Sequence, residues 1–388
     1  MKKRIPILLF AAVAIIYTAL CVSFDGEEGK IGFSPDPFGL FSHGDLSVPG
    51  DFSGGELFAQ LNPTEKTIYY RLYVSAGEGE YGCTVDGVDW DEYSSHTGRA
   101  VEAFVYDHPE FYTLDGGYHC EGKTVGIRRY KYILTLSEYT DIPENDAVSD
   151  EAERISTVAL AYDDDYSKVC YVHDYLVNHI EYDTDAAKLN KESDSFGYAN
   201  SAFGALVMHR ATCAGYAKAF KLVLDRLGIP CIVVTGEATE SHAWNCVKID
   251  GGWYLIDLTW DDPDSAKDSV DGVLHNYFCI TGERMAKDHT PDTSLFTFPE
   301  CTDDKYDWFV YNGYEMDSYD VARFRETVGR QYAEKYISVR FTNKAAYDAA
   351  VANIIEGKGW QDIPVLGYGR SIRYSLDENL LIMTFIIG

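Results

Sequence analysis

The stretch "HAWNCVKIDGGWYLIDLTW", residues 242–260, sets the fold of this chain. Apolar and polar residues alternate on both sides of Asp250-Gly251, a pair favoured in a two-residue type I′ turn. Two strands and a tight hairpin follow. With that loop, Ile249 faces Gly252 and Asp257 falls opposite Trp244. His242 is then diagonal to Asp257 on the same face of the ribbon, within side-chain reach. Any two-residue loop keeps this facing, because strand side chains alternate with period two; a three-residue loop would separate them.

Upstream lies "MHRATCAGYAKAFKLVLDRLGIPC", residues 208–231. Ala217, Phe220, Leu224 and Leu227 recur at helical spacing. Thr212 suits the N-cap, Gly228 the C′ position, and Pro230 stops the helix. Cys213 therefore sits in the first turn, at the positive end of the helix dipole, where a thiolate is favoured. A thiol there, a His and an Asp together give the chemistry of an activated nucleophile. The imidazole takes the thiol proton, the carboxylate fixes the imidazole tautomer, and first-turn N–H groups can bind an oxyanion. On this reading Ala214 and Gly215 leave room for a substrate carbonyl, and Tyr216 and Trp244 border the cleft. A free Cys also packs as a small core residue, and strand tryptophans such as Trp244 and Trp260 are commonly core.

The segments "ATCAGYAKAFKLVLDRLGIPC", "SHAWNCVKIDGGWYLIDLTWDDP" and "HNYFCIT" (275–281) together resemble the transglutaminase-like superfamily, in particular its exported bacterial branch. "HDYLVNHIEYDT", residues 173–184, resembles the helix that precedes the core there, and "YDHPEFYTL" a segment that accompanies the branch. The resemblance covers roughly residues 150–290. It implies an α+β fold with a papain-like triad: Cys213 as nucleophile, His242 as base and Asp257 as orienting acid. It implies a thioester formed on a peptide or side-chain amide, resolved by water in a protease or amidase, or by an amine in a transglutaminase. The calcium dependence of animal transglutaminases is not carried over. The alternative is a non-catalytic cell-surface binding protein that uses the same fold as a scaffold.

No cofactor or metal is expected. His173 and His179 do not share a helical face, Cys231 and Cys246 form no C-x-x-C, and "DDPDSAKDSVDG" lacks the terminal Glu of an EF-hand. The formal net charge of −29 over 388 residues argues against nucleic acid as partner. The expected partner is a protein or peptide substrate, with cell-wall peptide a candidate from location. Lys2, Lys3 and Arg4 precede the apolar run 5–24, so 1–24 reads as a signal peptide or membrane anchor, with the remainder extracellular or at the cell surface. Membrane contact is expected through this segment only. Residues 25–55, rich in Gly, Pro, Ser and Asp, read as a flexible linker. Then come an α/β region at 56–148, the cysteine domain at 149–300 and a small α+β domain at 301–388. Nine cysteines occur, and Cys83 and Cys120, in loop-like Gly- and Tyr-rich sequence, are the best candidates for a disulfide.

Overall fold

The computed structural model describes residues 23–24, 31–32, 47–86, 89–125, 129–140, 142–143, 146–188, 194–263, 272–367 and 371–387. Residues 1–22 of the expected leader and most of the linker lie outside these residues, as does 264–271 of the Asp-rich loop. Among the described residues no helix is long and apolar enough to cross a membrane. The chain divides into two compact units, one of residues up to Asp107 with Leu114–Glu138, the other of His108–Thr113 with Tyr139–Gly388.

The first unit begins with α1 (Pro63–Gly77). The Asn62 side chain accepts from the Glu65 N–H, and the Glu65 carboxylate accepts from the Asn62 N–H, a reciprocal capping box. β1 (Gly82–Asp86), α2 (Trp90–Asp107), β2 (Leu114–Val125) and β3 (Arg129–Glu138) follow. The sheet order is β1-β3-β2, antiparallel throughout. Cys83 and Cys120 are therefore strand residues, not loop residues. Both lie opposite Leu134 of the central strand. Two strand spacings, about 9.5 Å, separate them, beyond the Cα separation a disulfide spans. Both thiols are free, which removes the expected pairing.

In the second unit, α3 (Ala147–Ala159), α4 (Asp165–His179), α5 (Ala202–Leu206) and α6 (Cys213–Arg226) share one apolar core with the sheet. Short strands β4 (Glu181–Tyr182) and β5 (Arg210–Ala211) pair in parallel just before α6. The main sheet consists of β6 (Cys231–Glu237), β7 (Ser241–Ile249), β8 (Gly252–Ile256) and β9 (Thr290–Pro291), in the order β8-β7-β6-β9. Asp250 (φ 50°) and Gly251 (φ 87°) both take positive φ, and Ile249 pairs with Gly252. The hairpin thus closes with the expected two-residue loop. Helix α6 is buried from Gly215 through Leu224, on every face rather than along one stripe. Its neighbours α3, α4, α5 and the sheet surround it, which a single amphipathic period does not reveal.

β8 ends at Ile256, four residues earlier than the strand read through Trp260 in the sequence, because Asp257 opens the short helix α7 (Leu258–Asp261). Beyond it come β10 (Glu315–Met316), α8 (Val321–Arg330), β11 (Tyr336–Phe341), α9 (Lys344–Ala350), β12 (Ile372–Asp377) and β13 (Ile382–Ile387). These strands form a second sheet, ordered β10-β11-β13-β12, with a separate apolar core that includes Phe324, Ile337, Tyr347 and Phe385. The segments read as separate domains at 149–300 and 301–388 fall in one compact unit. A buried ion cluster binds them: Arg340 donates to Asp307 and Glu315, and Arg284 donates to the same two carboxylates.

Candidate active site

Cys213 stands at the first helical position of α6 and is partly exposed. Thr212 has the extended backbone of an N-cap, but its hydroxyl does not cap the helix. It turns to Asn200 Oδ1 at 2.6 Å, tying the segment before α6 to the helix start. Thr212 therefore leaves this turn without an N-cap side chain. The reason for Gly215 is also different from substrate access. A Cβ there would lie 2.5 Å from Ala199 O and 3.0 Å from Ser201 O, so α6 packs directly on that backbone. Gly215, Tyr216 and Trp244 are all buried. The Tyr216 hydroxyl lies 2.5 Å from Asp262 Oδ2 and 2.9 Å from Ile180 O, contacts of a core residue. Ala214 remains partly exposed beside the thiol.

The hairpin brings His242 Nε2 to 2.7 Å from Asp257 Oδ2. A carboxylate only accepts, so Nε2 carries the proton and Nδ1 is left for the thiol. Burial works against the His242 imidazolium. The charge and hydrogen bond of Asp257, joined by a hydrogen bond to Cys213, overcome it and raise the pKa to about 10. Burial likewise works against ionised Asp257, but His242 and a second histidine, His289, hold its carboxyl down at about 2. The other Asp257 oxygen, Oδ1, accepts from the N–H groups of Thr259 and Trp260. One carboxylate therefore orients the imidazole and caps α7.

His289 carries no signal in the sequence. It follows the main hairpin by a long interval and belongs to no periodic pattern. Its Nε2 lies 3.0 Å from Asp257 Oδ2 and its Nδ1 2.6 Å from Asp288 Oδ1. Tyr182 is also new. It pairs with Ala211 across the β4–β5 bridge, and its hydroxyl is raised to about 12 by burial and then by nearby Cys213, Glu240 and Asp257.

A second titratable cluster lies at α4. His173 Nδ1 and His275 Nε2 each lie 2.9 Å from Asp174 Oδ1. Burial opposes the His173 imidazolium, but Asp174 and Asp261 raise its pKa to about 9. His173 is fully buried and His275 stacks flat on Trp308, rings 4.6 Å apart. Cys170 brings a sulfur near the same carboxylate, and Cys170, Asp174 and His275 offer donor atoms within 4.8 Å of one another. With two N–H groups already directed at Asp174 Oδ1, this is a proton-bridged network joining α4 to the loop after α7. Cys231 and Cys246, both buried, lie on adjacent strands, and the Cys246 sulfur faces Cys301 at 3.5 Å rather than Cys231.

Residues 155–258 match the model of the Transglutaminase-like superfamily, and the chain thus contains a domain of that superfamily within a mixed fold of helices and sheets. The chain is 26% identical over 156 residues to kyphoscoliosis peptidase of Mus musculus, covering 36% of this chain and 23% of that protein. The Homo sapiens protein is 27% identical over 144 residues, covering 33% and 21%. The chain thus matches less than a quarter of the length of these relatives. A crystal structure of a TGase aligns with 46% of this chain and 51% of its own at 19% identity and a TM-score of 0.29. The periplasmic domain of TgpA from Pseudomonas aeruginosa aligns with 36% and 56% at 19% identity and a TM-score of 0.23.

Proposed function

We propose that this protein is a cysteine acyl-transfer enzyme acting on peptide or side-chain amides. The observation that carries this reading is one imidazole held between the Cys213 thiol and the ionised, buried Asp257. His242 Nδ1 takes the Cys213 proton, and the sulfur attacks the amide carbon. The uncapped first turn of α6 presents N–H groups towards the developing oxyanion. The imidazolium returns the proton to the departing amine as the C–N bond breaks, leaving a thioester on Cys213. Water or a second amine then attacks the thioester, gives its proton to His242, and restores the thiol. Asp257 stays ionised throughout and holds the Nε2–H tautomer.

Sub-stoichiometric iodoacetamide followed by peptide mapping tests the assignment. Cys213 is expected to react before Cys170, Cys231, Cys246 and Cys279. Burial raises the thiols of Cys170, Cys231 and Cys279, and Cys246 is fully buried. Preferential labelling of one of those four, with Cys213 silent in the folded protein, overturns the proposal, and so does labelling of Cys213 that is unaffected by His242→Ala. Incorporation of a fluorescent primary amine into casein marks transamidation, and new amino termini or conversion of glutamine to protein-bound glutamate mark hydrolysis, which separates the two.

The same proposal places the chain past residue 24 outside the cytoplasm, with a surface protein or cell-wall peptide as substrate class. The basic-then-apolar start of the chain supports this. Protease added to spheroplasts is expected to degrade the protein, and full protection contradicts export.

A further inference from the structure

We propose that His289 is a positioning residue of this site, a buried imidazolium that clamps Asp257 through the carboxylate oxygen that also holds His242. The proposal rests on the acyl-transfer reading of Cys213, His242 and Asp257.

Both ring nitrogens of His289 face carboxylates, Nε2 at Asp257 Oδ2 and Nδ1 at Asp288 Oδ1. A neutral imidazole has one N–H, and its remaining lone pair would point at a carboxylate oxygen from hydrogen-bond distance. Two N–H donors remove that repulsion, so the geometry requires the charged ring. His289 and Asp257 are both fully buried. The ring is packed among Trp244, Trp260 and Tyr277, with centroids 5.1, 4.5 and 5.4 Å away, so its orientation is fixed. The charged groups around it are Asp257, Asp288 and His242, whose ring centre is 5.5 Å away. Behind them the Tyr277 hydroxyl donates to Asp288 Oδ2, and Asp377 and Lys287 stand near one another and near Asp288.

Carboxylates and imidazoles then alternate from Asp288 through His289 and Asp257 to His242, which hydrogen-bonds the Cys213 sulfur. His289 does two things for the reaction. Its hydrogen bond holds Oδ2 in register with His242 Nε2. Its charge offsets part of the Asp257 anion, so the His242 imidazolium is stabilised less than it would be beside a lone buried carboxylate. The Nδ1 proton that His242 took from Cys213 goes to the leaving amine, and a less stabilised imidazolium releases it more readily, while the Nε2 proton stays in its hydrogen bond to Asp257.

The experiment is the pH profile of Cys213 alkylation by iodoacetate, read by intact mass. This anionic reagent is drawn to the imidazolium, so its rate falls on the alkaline side as His242 loses its proton. In His289→Gln the alkaline limb is expected to move up by roughly one pH unit, because one positive charge near the pair is gone. Asp288→Asn withdraws the anion that supports His289 and is expected to move the limb the same way by less. It also serves if His289→Gln fails to fold, as judged by thermal melting. Slower alkylation with an unmoved limb in the folded variants shows a purely structural His289 and overturns the proposal. Absence of Cys213 alkylation in the wild type instead overturns the acyl-transfer reading itself.

Discussion

Asp257 is the residue on which the proposed chemistry turns. Its Oδ2 accepts from two imidazoles and its Oδ1 from two backbone N–H groups, so every lone-pair direction is committed. Asp257→Asn keeps the shape but places an amide N–H against His242 Nε2–H, which favours the wrong tautomer. Acyl transfer is expected to fall by about ten-thousandfold, as in comparable triads, with the fold retained in circular dichroism. The raised pKa of His242 also sets a stability term. The stabilisation it contributes is complete below the ordinary imidazole value of 6.5 and fades as pH rises towards about 10. Asp257 has the opposite sign: its contribution is complete above 3.8 and is lost as pH falls through about 2. The melting-temperature difference between wild type and His242→Gln is therefore expected to be largest between pH 4 and 6.5 and to shrink towards pH 10. A difference that grows with pH contradicts this pairing.

The first turn of α6 and the hairpin are the two elements that bring the site together. α6 reaches its place by direct backbone contact at Gly215, where an added Cβ would also meet Ala211 Cβ at 2.8 Å. The opposing atoms are mostly main chain and have little freedom to yield. Gly215→Ala is expected to cost about 1–3 kcal/mol in urea unfolding and to slow Cys213 alkylation, since the helix start must shift. An unchanged midpoint and rate would mean that Ala199 and Ser201 yield freely. In the hairpin, a β-carbon at Gly251 meets nothing within 4 Å, yet its φ of 87° resists any L side chain. Gly251→Ala is expected to cost about 1–2 kcal/mol without altering Cys213 reactivity relative to His242, because the turn lies at the far end of the hairpin.

Across the second unit, the polar cluster of Arg284, Arg340, Asp307 and Glu315 joins the short helix that carries Arg284 (Gly282–Met285) to the C-terminal sheet. Arg340 is 2% exposed and Asp307 fully buried, so the desolvation of these charges is offset only while all partners remain. Arg340→Met leaves Asp307 with Arg284 as its cation and is expected to lower stability by about 3–5 kcal/mol. Arg340→Lys should not restore it, because a point charge cannot reproduce the two-pronged contact with Asp307 and the third bond to Glu315. Full rescue by Lys in thermal unfolding would show that charge alone, not geometry, holds the two parts together.

The sequence by itself determined the short-range features of the site. A two-residue turn with two positive-φ positions and strands of period two place His242 and Asp257 on one face, whatever the rest of the fold does. The helix start at Cys213 follows from local spacing in the same way, and so does the capping box at Asn62. What the tertiary structure decided involves partners that are distant in sequence. Gly215 is small because of Ala199 and Ser201, and the Thr212 hydroxyl is drawn away from its helix by Asn200. Cys83 and Cys120 are kept apart by the strand between them, and His289 meets Asp257 only after the chain has folded back across the sheet. Periodicity reports which way a side chain faces within its own element. It carries no record of which other element arrives against that face, and in this protein that arrival gives Asp257 its second imidazole.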